Sequence, residues 1–199
     1  MDYFSRSSIQ LKKKRIEKTL RNLDKKTEVA FYLDEAGPYL VKPHPGQKWF
    51  LKKSIYKTPA TWKTKGKVVI LGALKTNPGK VYHHLTDNKR FKSLRYFICQ
   101  IGNRYIKKRK IYFVWDNAKV HLSEKLEKWI NQWNKKGKAE FEILPLPTYS
   151  PWLNPIEPVF GDLYKKVIAG SNFRWPSNMA KEIHKYFYRR CRQKHNNDI

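Results

Sequence analysis

Residues 111–116, Ile-Tyr-Phe-Val-Trp-Asp, decide how this chain reads. Five consecutive β-branched or aromatic residues with no turn former predict a buried strand, and the run stops at an aspartate. Working outward, residues 29–33 (Val-Ala-Phe-Tyr-Leu) repeat the pattern and also deliver an acid, Asp34. Residues 141–144 predict a further short strand, which leads into a loop stiffened by Pro145, Pro147 and Pro151.

Between these runs the apolar period changes from two to nearly four. Phe91, Leu94, Ile98, Ile101 and Tyr105 mark one helix with a single apolar face. Leu122, Leu126, Trp129, Ile130 and Trp133 mark another, with Ser123 as its N-cap, Glu124 and Glu127 in its first turn and Gly137 closing it. Residues 67–74 and 81–85 predict two strands about the turn Asn77-Pro78-Gly79-Lys80, and 49–51 a short one after a Pro- and Gly-rich loop over 38–48. A helix is expected from Asn154-Pro155 and a last one over 177–192. The sum is an α/β fold, a mixed central sheet with helices on both faces. Residues 1–27 are expected to be a basic helical linker, and 28–199 one folded domain.

Charge narrows the partner. Forty-three Lys+Arg against sixteen Asp+Glu give a net +27, which points to a polyanion. A lysine-rich proteome would raise lysine everywhere, but residues 42–110 hold nineteen bases and one acid, Asp87, whereas 111–157 hold six of each. Lys63, Lys65, Lys67 and Arg90 within the basic stretch are candidates for contacts to phosphates. No apolar run approaches the roughly 18 residues of a membrane span. Cys99 and Cys191 form no metal-ligand spacing and read as reduced thiols. Gly-rich phosphate loops and nucleophilic triads are missing.

The acids are therefore few and placed. If the strands ending at Asp34 and Asp116 are neighbours, about 4.8 Å apart, their carboxylates can share a divalent cation, and Glu157 in the first turn of the next helix can supply a third. Three hard oxygen donors suit Mg²⁺ or Mn²⁺ rather than zinc. The competing reading makes Asp34 and Asp116 turn formers and Glu157 the third position of a capping box begun by Asn154, with Pro155 at the first helical position. Trp152, beside Glu157, reads as a hydrophobic plug for the loop or a surface on which a base stacks. The other tryptophans read mostly as core.

Three stretches carry a family resemblance: residues 31–37 (Phe-Tyr-Leu-Asp-Glu-Ala-Gly), 114–121 (Val-Trp-Asp-Asn-Ala-Lys-Val-His) and 146–157 (Leu-Pro-Thr-Tyr-Ser-Pro-Trp-Leu-Asn-Pro-Ile-Glu). They resemble the three catalytic motifs of DDE transposases, and more narrowly the bacterial insertion-sequence branch of the mariner-like superfamily. The resemblance implies a ribonuclease H-like fold, two Mg²⁺ ions with Mn²⁺ as substitute, and cleavage and strand transfer at the ends of an insertion sequence. It gives Asp34, Asp116 and Glu157 the ligand roles, and makes Asn117, His121 and Asn154 candidates for shaping the site. It implies double-stranded DNA as partner (transposon ends and target), a homodimer when active, and a cytoplasmic, DNA-associated place in a bacterium or archaeon. Such enzymes carry an N-terminal helix-turn-helix reader, whereas here only a basic helix precedes the first strand. The expectation is that the reader is a separate or fused partner; the alternative is a non-catalytic DNA-binding remnant.

Overall fold

The computed structural model describes residues 6–46, 61, 63–77, 79–116, 124–147 and 151–196. Five strands, β1 (Glu28–Leu40), β2 (Lys67–Lys75), β3 (Val81–Thr86), β4 (Lys110–Trp115) and β5 (Glu140–Pro145), form one sheet in the order β3-β2-β1-β4-β5. β1 pairs with β4, and β4 with β5, in parallel. β2 and β3 are neighbours joined by residues 76–80, a connection too short for anything but an antiparallel hairpin. The sheet is mixed, as the sequence predicts. The helices are α1 (Arg6–Arg21), α2 (Phe91–Arg104), α3 (Glu124–Asn134), α4 (Glu157–Leu163) and α5 (Pro176–Asn196). A 3-10 turn, Pro151–Leu153, precedes α4, and a π turn, Tyr164–Ile168, continues it.

The chain forms two compact units, one of residues 1–34, 71–83 and 90–157, the other of 35–70, 84–89 and 158–199. In the first, the pleat of β4 sends alternate side chains to opposite faces. Phe113 meets Phe31 at 6.2 Å and Phe141 at 5.3 Å between ring centroids, and Phe141 stacks on Trp133 of α3 at 4.6 Å. Gly102 of α2 lies against the same two rings, where a side chain would have no room. Val114 points the other way, into a cluster with Leu144, Leu146 and Ile16 of α1, bordered by Leu20, Tyr32 and Leu153. α1 is thus a packed layer: Ile16 and Leu20, four apart, share its inner face, and Ile16 is only 7% exposed. Arg15 of α1 also reaches Glu142 of β5 at 3.1 Å, and Lys110 of β4 meets the same carboxylate at 2.7 Å.

The second unit takes the outer part of β1, the start of β2 and the C-terminal helices. Its buried residues include Val41, Ile70, Leu163, Ile168, Met179 and Ile183. The Tyr186 hydroxyl donates to the Val159 carbonyl at 3.2 Å and to Asp162 at 2.7 Å, which fixes α5 to the preceding helix.

Two expectations change. The strand expected over 29–33 does not end at Asp34 but continues to Leu40, so Asp34 lies inside β1. The loop expected from residue 38 begins only after that strand. The short strand over 49–51 and the Ser123 cap lie outside the described residues. Among the described residues no helix is long and apolar enough to cross a membrane.

Candidate active site

Strand register brings the first two acids together. Each β1 residue faces the β4 residue 82 positions later, from Glu28↔Lys110 to Tyr32↔Val114. Carried two places beyond the last paired residues and one past the end of β4, the same offset leads from Asp34 to Asp116, on strands whose usual spacing is about 4.8 Å. The faces agree as well. Tyr32 and Val114 both belong to the cluster under α1, and with a period of two Asp34 and Asp116 follow them to that side. Asp34 is half-buried, and Asp116, the first residue past β4, is exposed.

The third acid arrives by the proline loop. Leu146 and Leu153 pack into the same cluster, which pins both ends of the loop to the face that Asp34 and Asp116 share. Asn154 then makes the decisive hydrogen bond. Its side chain is 2% exposed, and Nδ2 donates to the carbonyl of Leu33, the residue before Asp34, at 3.2 Å. Its own carbonyl accepts from the backbone N–H of Glu157 at 3.1 Å. One buried asparagine therefore links the backbone beside the first acid to the backbone of the third.

Glu157 opens α4 with an exposed side chain. Partial burial first, and the neighbouring Asp116 carboxylate second, raise its carboxyl above the ordinary glutamate range. Asp116 and Glu157 thus lie within electrostatic reach of each other. The capping-box arrangement is not formed: the Asn154 Oδ1 that would accept the Glu157 N–H has no hydrogen-bond partner among the described residues, and its Nδ2 turns to Leu33 instead. Among the described residues no three acidic, histidine or cysteine side chains stand close enough to hold an ion as they are placed. The donors offered by Asp34, Asp116 and Glu157 are all carboxylate oxygens, the chemistry of a site for Mg²⁺ or Mn²⁺.

The remaining sequence candidates divide. Asn117 and His121 lie outside the described residues. Lys63, Lys65 and Lys67 are exposed around the start of β2, and Arg90 is exposed where α2 begins. Trp152 is 77% exposed, so it plugs nothing. Trp115 and Trp133 are core, whereas Trp175 is 52% exposed, against its reading as core from spacing alone. Asn154 was legible as a motif residue; its tether to Leu33 joins positions 121 apart and had no local signal.

Comparison with known proteins bears on the family and the fold. A family described as DDE superfamily endonuclease matches residues 29–179. A Shigella sonnei protein, the insertion element IS630 uncharacterized 39 kDa protein, is 26% identical over 137 residues, covering 69% of this chain and 38% of its own length. Among solved structures, the Mos1 transposase paired-end complex with left transposon end superposes with a TM-score of 0.61 at 16% identity, covering 90% of this chain and 53% of that one. The catalytic domain of Mos1 mariner transposase gives 0.57 at 17% identity, covering 90% and 78%. The chain thus spans well under two thirds of the insertion-element protein and of the paired-end transposase. The structural likenesses establish the ribonuclease H-like fold, and by its match over residues 29–179 the chain belongs to the DDE superfamily endonuclease family.

Proposed function

We propose that this chain is the catalytic part of a transposase that cuts DNA at insertion-sequence ends and joins the freed strand to a target, with Asp34, Asp116 and Glu157 as its metal-binding carboxylates. The observation that carries the reading is the parallel register of β1 with β4, whose continuation leads from Asp34 to Asp116, together with the Asn154 link to Glu157. When bound, two divalent ions would supply an activated water or 3′-hydroxyl and stabilisation of the leaving oxygen. The protein's own part is placement. On this reading the parallel strands β1 and β4 bring Asp34 and Asp116 to the same end of the sheet, the buried Asn154 sets where Glu157 begins, and the three carboxylates would hold the cations, whose charge would offset their repulsion. Exposed lysines of the 42–110 stretch hold the phosphate backbone by charge.

The partners that follow are duplex DNA, a second copy of the chain so that two ends are cut together, and a helix-turn-helix reader, separate or fused, that selects the ends. The test is a labelled duplex incubated with the protein and Mg²⁺ or Mn²⁺, beside Asp116→Asn. Metal-dependent nicking that disappears in the variant supports the enzyme. DNA binding with no cleavage in either protein would establish the alternative, a non-catalytic DNA-binding remnant.

A further inference from the structure

The second unit carries an exposed indole ringed by cations. Trp175 is 52% exposed, with Lys65 Nζ at 5.8 Å and the Arg174 guanidinium at 5.9 Å from its ring centroid. Burying such a ring would be worth several kcal/mol by area, about 25 cal/mol per Å², so leaving it half in water needs a reason. Its backbone is firmly held. The Trp175 carbonyl accepts from the N–H groups of Asn178 and Met179 at 3.1 and 3.4 Å, which makes it the start of α5. The next residue, Pro176, sits against Gly66, whose φ of +135° suits glycine and where an added Cβ would lie 2.7 Å from the proline ring. The Gly66 segment is itself fixed: the Gly66 carbonyl accepts from Val41 at 2.8 Å and from the Thr64 hydroxyl at 2.6 Å.

The electrostatics point one way. Segments 61–67 and 171–176 contain Lys63, Lys65, Lys67 and Arg174 and no acid. All four side chains are exposed, and among the described residues none is in an ion pair. Cations on the neighbouring helices behave differently: Lys166 pairs with Asp162 and Lys185 with Glu182. An exposed aromatic face on a fixed backbone, among cations that have no ion pair among the described residues, is the arrangement that holds a base by stacking and its flanking phosphates by charge.

We propose that Trp175, with Lys65 and Arg174 beside it, is a stacking platform for an unpaired nucleotide of the DNA that this protein handles. The inference rests on the DNA reading above but assigns a distinct site and substrate feature. Duplex DNA hides the faces of its bases, so only a frayed, flapped or single strand can use the ring, whereas the cations serve either form.

The test compares fluorescence anisotropy of a labelled oligothymidylate with that of a blunt duplex of equal length, using the full chain. Trp175→Ala is expected to weaken oligothymidylate binding about tenfold, the loss of one stacked base, and to leave duplex binding unchanged. Trp175→Tyr should restore most of the difference. The pair Lys65→Gln and Arg174→Gln should weaken both DNAs and flatten the salt dependence by roughly 0.7–0.9 for each phosphate no longer neutralised. Equal loss on both DNAs in Trp175→Ala, or no loss on either while the duplex still binds, overturns the platform and leaves the DNA reading standing. Failure of the unaltered protein to bind either DNA overturns both. Binding of anionic vesicles that needs Trp175, with oligothymidylate binding intact in Trp175→Ala, overturns it in favour of a lipid surface.

Discussion

Replacing Asn154 by alanine should separate activity from stability. The side chain is almost wholly buried and makes one neutral hydrogen bond, Nδ2 to the Leu33 carbonyl at 3.2 Å. Losing such a bond costs about 1 kcal/mol. Its Oδ1, however, is buried with no partner among the described residues, and removing an unsatisfied acceptor returns a similar amount. The folded state should therefore change by only about 0–1 kcal/mol, less than a typical core truncation. Function should change far more, because the same residue links the backbone beside Asp34 to the start of Glu157. Displacing a reacting group by about 1 Å costs on the order of a hundredfold in rate. The assay is single-turnover nicking of a labelled duplex across a Mg²⁺ titration, alongside urea denaturation of both proteins. A loss of about a hundredfold that is partly recovered at high Mg²⁺, with the denaturation midpoint nearly unmoved, is the expected result. A fully active variant, or one whose loss simply follows its unfolding, would refute the positioning role.

Two further predictions concern the scaffold that presents the acids. Gly102→Ala should destabilise the protein by at least about 1–3 kcal/mol in urea melts, because the new Cβ would lie 2.4 Å from the Phe141 ring and 2.8 Å from that of Trp133; an unchanged melt would mean that α2 does not press on those rings. Glu142→Gln should matter at neutral pH and not in acid. Burial pushes the Glu142 carboxyl up, but its bonds and attraction to Lys110 and Arg15 outweigh this and hold it below the ordinary value of 4.5. A depressed carboxylate contributes stability above the unfolded pKa that fades as pH falls through the folded one. The parent should therefore exceed the variant by about 0.5–1 kcal/mol at pH 7. The two should converge near pH 3, and a gap that widens in acid would contradict the ion-pair account.

How much of this was legible in the sequence follows from how local each determinant is. β4 was plain because five residues in a row have one physical preference, and the α2 and α3 stripes were plain because each buries one face. The extension of β1 past Asp34 was not. The Pro- and Gly-rich stretch from residue 38 reads as loop, yet the strand runs on to Leu40, past the level at which β4 ends at Trp115. α1 was legible as a basic helix but not as a packed layer. Its inner face is only two or three residues wide, and what it covers, Val114 and Leu144, is a hundred residues away. The three proposed ligand acids stand out in the sequence by position and motif. The register of β1 with β4 is encoded by no single stretch, and the hydrogen bond that draws the Asn154 amide to Leu33 joins positions far apart in the chain.

The central claim is that Asp34, Asp116 and Glu157 close on shared divalent ions, and crystals grown with Mn²⁺ test it most directly through anomalous diffraction. The account predicts anomalous peaks among these three side chains, about 3.5–4 Å apart if both ions are held, with carboxylate oxygens of all three moved into ligand distance. Manganese bound elsewhere, or at Asp116 without Asp34 and Glu157 among its ligands, would contradict it.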